Sequence, residues 1–279
     1  MALSYKDYLE QNQLPHMWCP GCGDGIILRA YTEALAELNL APKDVVTVTG
    51  IGCWGKADDY LSTQAFHGTH GRALAFATGI KTANPDLTVV TLMGDGDAVT
   101  IGGNHFIHAA RRNVNLTAIV TNNYNYGMTG GQYSATTPLE SKTTTSPNGV
   151  AEPGFDVCFL AEAAGANFVA RTTVYHAVAL KNLIKEGILH PGFSLVEVIS
   201  PCPTYFGRFN VHPSPVNMMN WLKEKAIPVQ KYRELPLEEQ HEHFAVGKLV
   251  KKDRPDFYTT YRRINGGKKG AEEGDANGR

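Results

Sequence analysis

The sequence predicts an α/β fold, a doubly wound and mostly parallel sheet. Apolar strands and amphipathic helices alternate between residues 25 and 199, the order that builds parallel sheets through helical crossovers. Two of those strands, 87–93 and 116–121, are nearly continuous apolar runs, as expected where helices cover both faces of a sheet.

Residues 25–38 place apolar side chains at helical spacing, and Pro42 stops that helix. Val45-Val-Thr-Val-Thr reads as a strand running into Gly50-Ile-Gly-Cys. Residues 72–81 are small and apolar enough for a helix packed tightly on a sheet. After the strand at 87–93 come a helix at 104–112 and the strand at 116–121. A helix at 156–164, a strand at 168–171, a helix at 174–186 and a strand at 193–199 complete the alternation. Residues 124–153 are rich in Gly, Thr, Ser, Asn and Pro without periodicity, and a loop of that length is functional or mobile. Beyond residue 213 the pattern weakens to an amphipathic helix at 216–225 and a charged stretch with few strands. The division expected is an α/β unit over 1–212, a C-terminal helical extension over 213–265, and a disordered tail over 266–279, which has no apolar residue larger than alanine.

Of 279 residues, 43% are hydrophobic and 19% charged, enough for a sizeable core and too apolar for a disordered chain. Lys plus Arg number 26 against 27 for Asp plus Glu, which leaves no electrostatic footprint for nucleic acid or an anionic membrane. No apolar run reaches the roughly 18–20 residues of a membrane span. The first residues lack the layout of a signal peptide, so a cytoplasmic chain is expected. In that compartment five cysteines are ligands or thiols rather than disulfides.

Two turns carry the first chemical signal. Gly94-Asp95-Gly96-Asp97 follows the strand at 87–93, and the carboxyl edge of a parallel sheet is where such folds bind ligands. Gly96 permits close backbone approach to a phosphate, and Asp95 offers a hard oxygen to Mg²⁺. Val99 stands where a dinucleotide fingerprint needs glycine, and no Gly-Lys-Ser/Thr follows, which argues against nicotinamide and Walker-type sites. Asn122-Asn123 ends the next strand, so Asp95 and Asn123 can share one cation, with phosphate oxygens and water completing its octahedron.

Cys19-Pro-Gly-Cys22 presents two thiolates from one turn, while Cys53 and Cys202 each follow a predicted strand. Four such sulfurs fit tetrahedral zinc or a [4Fe–4S] cluster, and Cys19 with Cys22 also fits a redox dithiol. Cys158 lies on a predicted helix and reads as a buried, inert thiol. Lys56 and Arg72 read as surface pairing, His105 and His108 as helix packing, and Arg208 as a candidate partner for a substrate carboxylate.

In order along the chain stand Trp18-Cys-Pro-Gly-Cys-Gly, Gly52-Cys-Trp-Gly, His70-Gly-Arg-Ala, Gly94-Asp-Gly-Asp, Gly102-Gly-Asn-His, Ala109-Ala-Arg-Arg-Asn, Tyr126-Gly-Met-Thr-Gly-Gly-Gln and Cys202-Pro-Thr. The Gly-Asp-Gly and Asn-Asn pair resembles the thiamine diphosphate motif. The whole set resembles the β subunits of 2-oxoacid:ferredoxin oxidoreductases, above all the 2-oxoglutarate type, over residues 17–221.

The resemblance implies a thiamine-diphosphate-binding fold with iron–sulfur loops, both centres lying within 1–212. It implies one [4Fe–4S] cluster on Cys19, Cys22, Cys53 and Cys202, and Mg²⁺ on Asp95, Asn123 and the Asn125 carbonyl. Cofactor contacts fall on Ile51, Gly52, Cys53, Trp54, His70, Gly96, Asp97, Gly127 and Met128. The implied reaction converts a 2-oxoacid, coenzyme A and oxidised ferredoxin into acyl-CoA, carbon dioxide and reduced ferredoxin, reversibly. A larger α subunit is implied to carry the pyrimidine side and the activating glutamate, in an αβ or (αβ)₂ assembly. Gly130 stands where some members have lysine, which leaves pyruvate or a broad 2-oxoacid range as alternatives to 2-oxoglutarate. A non-redox thiamine-dependent decarboxylase with structural zinc is the other alternative.

Overall fold

The computed structural model describes residues 3–266. Eight strands form one sheet: β1 (Val45–Thr49), β2 (Gln64–His67), β3 (Thr88–Gly94), β4 (Leu116–Asn122), β5 (Phe168–Thr173), β6 (Phe193–Ile199), β7 (Ala226–Pro228) and β8 (Phe244–Lys251). Their order is β2-β1-β3-β4-β6-β5-β8-β7. Strands β1 to β6 pair in parallel, while β8 runs antiparallel to β5.

The main helices are α1 (Asp24–Glu37), α2 (Ala73–Ala83), α3 (Gly103–Arg112), α4 (Val157–Ala164) and α5 (Ala177–Leu189). Five further helices follow: α6 (Phe206–Asn210), α7 (Pro215–Lys225), α8 (Val229–Tyr232), α9 (Leu237–Gln240) and α10 (Phe257–Gly266). Both faces of the sheet are covered. Ile27, Tyr31 and Leu35 of α1 and Leu180 and Ile184 of α5 pack on Leu92, Ile119 and Val196. On the other face Leu74 of α2, Phe106 of α3 and Ala161 of α4 pack on Val48, Met93 and Val120. That double cover is why β4 and β6 are buried at every position. No helix among the described residues is long and apolar enough to cross a membrane.

The order explains the location of the site. From β1 the chain moves outward to β2, then returns to the opposite side of β1 as β3 and β4. The crevice between β1 and β3 is therefore a topological switch point, where open α/β sheets bind ligands beyond the carboxyl ends of the strands.

Two elements depart from the sequence expectation. Strand β2 is an exposed edge, so it lacks the apolar run that marks the inner strands. The C-terminal segment expected to be helical also supplies β7 and β8. Strand β8 is half-buried, carries Lys248 and Lys251, and turns through Gly247 at φ 113°, which breaks the regular alternation. The expected disordered tail lies, from residue 267 onward, outside the described residues.

Candidate functional site

The register of β3 on β4 pairs Gly94 with Thr121, so the turns after these strands lie side by side. Asp95 leads into a six-residue π-helical turn, Gly96–Ile101, a feature frequent at functional sites. Its carboxylate is buried, at 1% exposure. One oxygen accepts from the Asn123 N–H at 3.4 Å, and the other from the Ser134 and Thr136 hydroxyls, each at 2.5 Å. Burial holds this carboxyl above its ordinary range, and the hydroxyl donors pull against it. A divalent cation held here would supply the missing countercharge.

The Asn122–Asn125 segment is shaped from below. Asn122 donates to Glu197 Oε1 at 2.8 Å and accepts from the Tyr124 N–H at 3.3 Å. That contact holds Tyr124 in the left-handed region, at φ 63°. Glu197 also receives Arg171 Nε at 2.6 Å and the Cys158 thiol at 3.1 Å, and Arg171 reaches Asp156 at 2.6 Å. Cys158 is thus a buried member of an ion-pair network, consistent with an inert thiol.

A cavity of about 100 Å³ opens at these turns. Ile51, Gly52, Cys53 and Trp54 line it after β1, His70 before α2, Asp95, Gly96 and Asp97 after β3, and Asn123, Asn125, Gly127 and Met128 after β4. Every thiamine and magnesium position expected from sequence therefore meets here. Asp97 acts chiefly as a clasp: its Oδ1 accepts from the Gly71 N–H and His70 Nδ1 at 2.6 Å each, and from the Ile51 N–H at 3.4 Å. A Cβ at Gly50 would lie 1.9 Å from Asp97 Oδ2, so only glycine fits there. The space beside Gly96 is taken by the Tyr126 ring, 2.4 Å from where a Cβ would stand.

A second cavity, about 270 Å³, is lined by Cys19, Cys22, Cys53 and Cys202. Cys53, Asn123, Gly127 and Met128 line both cavities. The Cys19–Cys22 turn closes through a backbone bond of 2.9 Å and bends at Gly21, whose φ is 84°. Trp18 Nε1 donates to the Cys53 carbonyl at 2.7 Å, and the Cys202 N–H to the Asn123 carbonyl at 3.3 Å. None of the five cysteines is paired in a disulfide. Burial pushes the Cys53 thiol up to about 12, and Cys22 and Cys202 also rise, first through burial. Beside them Asp24 is pushed up to about 7 by burial, and neither carboxylate oxygen has a hydrogen-bond partner among the described residues. Three half-buried thiols and the exposed Cys19, lining one cavity, suit a cationic centre, which deprotonates its ligands.

Other singled-out residues lie elsewhere. Lys56 pairs with Asp59 at 2.6 Å, Arg72 donates to the Gly71 carbonyl, and His108 accepts from Arg111. Arg208, on α6, lines neither cavity. Sequence reasoning missed Ser134, Thr136, Asp24, Arg171 and Glu197. Only Arg171 and Glu197 left a signal, each as a lone charge inside a buried strand.

Residues 48–198 match the model of the family described as thiamine pyrophosphate enzyme, C-terminal TPP binding domain. The chain is 48% identical, over 90% of its length and 93% of the relative's, to 2-oxoglutarate synthase subunit KorB of Methanocaldococcus jannaschii. Its identity to the subunit of the same name from Archaeoglobus fulgidus is 52%, over 80% of this chain and 82% of that one. A solved structure of 2-oxoglutarate:ferredoxin oxidoreductase from Magnetococcus marinus, with 2-oxoglutarate, coenzyme A and succinyl-CoA bound, superposes with a TM-score of 0.84. Identity there is 32%, covering 94% of this chain and 89% of that one. With a thiamine diphosphate fold, a cation-seeking carboxylate and four gathered thiols, the chain belongs to the thiamine diphosphate-dependent 2-oxoacid:ferredoxin oxidoreductases, among the β subunits of the 2-oxoglutarate type.

Proposed function

We propose that this chain, with an α subunit, carries out the coenzyme A-dependent oxidative decarboxylation of 2-oxoglutarate to succinyl-CoA and carbon dioxide, reversibly. Electrons leave through a [4Fe–4S] cluster on Cys19, Cys22, Cys53 and Cys202 to ferredoxin. The observation that carries this reading is the shared wall: Cys53, Asn123, Gly127 and Met128 each face both cavities. Centres bound in these two cavities would be divided by a single layer of residues.

Bound thiamine diphosphate supplies the electron sink that loss of the substrate carboxylate requires. The residues of this chain hold and aim it. Asp95 and Asn123 offer side-chain oxygens, and Asn125 a carbonyl, to Mg²⁺ on the diphosphate. Ser134 and Thr136 keep the Asp95 carboxylate in place, and Asp97 fixes His70 on the opposite rim.

Four cysteines lining one cavity fit either tetrahedral zinc or a four-iron core, and the family resemblance favours the cluster. A cytoplasmic setting belongs to the same reading, in which four of the five cysteines are cluster ligands.

The α subunit supplies the activating glutamate and the pyrimidine side of the cofactor. The test is anaerobic reduction of a viologen dye by the αβ complex, with coenzyme A and a panel of 2-oxoacids. The expected result is fastest reduction with 2-oxoglutarate and none from the β chain alone. Faster turnover of pyruvate contradicts the substrate, and full activity of isolated β contradicts the division of labour.

A further inference from the structure

Asn125 stands in the wall between the two cavities with a side chain that nothing in the fold satisfies. It is 3% exposed. Its backbone N–H is held by Asn123 Oδ1 at 3.2 Å, yet neither Oδ1 nor Nδ2 has a hydrogen-bond partner among the described residues. A buried, unpaired amide is costly, and such groups are rare in folded chains. The partner is therefore something the folded chain receives.

Its neighbours identify that partner. A Cβ placed on Gly127 would lie 3.5 Å from Cys202 Sγ, 3.6 Å from Cys53 Sγ and 3.7 Å from Asn125 Oδ1. The amide oxygen and two ligand sulfurs thus lie around one point, and a half-turn of the side chain exchanges Oδ1 for Nδ2. An asparagine amide has two N–H donors to give, and thiolates and inorganic sulfides are acceptors.

We infer that the Asn125 side-chain amide donates a hydrogen bond to the iron–sulfur centre at Cys202 and so raises its reduction potential. The inference rests on the cluster reading of the four cysteines. It gives Asn125 two duties: its carbonyl would hold Mg²⁺ and its side chain would tune the electron acceptor beside it. The positive end of an N–H dipole at a ligand sulfur stabilises the added electron, and hydrogen bonds to sulfur are among the determinants of cluster potential.

The test uses the anaerobic αβ complex. Iron and sulfide content and the EPR signal of the reduced cluster come first; their absence from the wild-type complex overturns the cluster reading and this inference with it. With the cluster present, EPR-monitored redox titration of Asn125→Leu is expected to give a more negative midpoint potential at unchanged iron content. An unchanged potential overturns the inference. If the variant does not retain its cluster, the wild-type complex decides. Side-chain ¹⁵N-asparagine labelling is expected to give a nitrogen hyperfine coupling to the reduced cluster in pulsed EPR, and its absence overturns the assignment.

Discussion

His70 Nδ1 lies 2.6 Å from Oδ1 of Asp97, a carboxylate that also closes on the backbone N–H groups of Gly71 and Ile51. One buried oxygen thereby ties the segment after β1 to the turn before α2, across the switch point. With Nδ1 engaged, the histidine keeps Nε2 for the cavity.

Asp97→Ala is expected to weaken thiamine diphosphate binding by roughly tenfold or more. It strands three donors, each costing about 1–3 kcal/mol if left unpaired. Quenching of tryptophan fluorescence on cofactor titration checks this, with Trp54 in the cavity wall. Iron content is expected to stay at the wild-type value, because Asp97 does not line the cysteine cavity. Wild-type affinity in the variant contradicts the clasp.

Thr136→Val removes one of two hydroxyl donors from a buried carboxylate. The expected loss of stability is about 1–3 kcal/mol, measured by denaturant unfolding. Mg²⁺ with thiamine diphosphate is expected to recover part of it, since the cation supplies charge compensation at Asp95. An equal loss with and without the metal cofactor contradicts the placement of Mg²⁺ on that carboxylate.

Arg171→Met leaves the buried Glu197 carboxylate without its countercharge, with an expected cost of about 3–5 kcal/mol. Replacing both partners, Arg171→Met with Glu197→Met, is expected to cost less than Arg171→Met alone. Denaturant midpoints for the two proteins test this. A double variant less stable than the single one shows that packing around Arg171, rather than the charge pair, dominates.

How much was legible in the sequence follows from burial and locality. Strands β3, β4 and β6 are inner strands, so their apolar runs announced them. Strand β2 is an edge with all four residues exposed, and β8 is broken by Gly247 and its lysines; neither leaves a pattern in composition. The glycine turns and the cysteine pair are local signatures and were readable as they stand. Ser134 reaches Asp95 across 39 residues and Asn122 reaches Glu197 across 75. A hydroxyl in a polar loop carries no mark of its partner, so such contacts appear only when the chain is folded. The same holds for Asn125, whose carbonyl was implied by family resemblance and whose stranded amide was not.

The central claim is that substrate chemistry in one cavity delivers electrons to a cluster in the next. The direct measurement is rapid-freeze EPR of the anaerobic αβ complex mixed with 2-oxoglutarate and coenzyme A, without ferredoxin. A reduced [4Fe–4S] signal growing in with substrate is the predicted result. An EPR-silent protein that contains zinc in place of iron contradicts it.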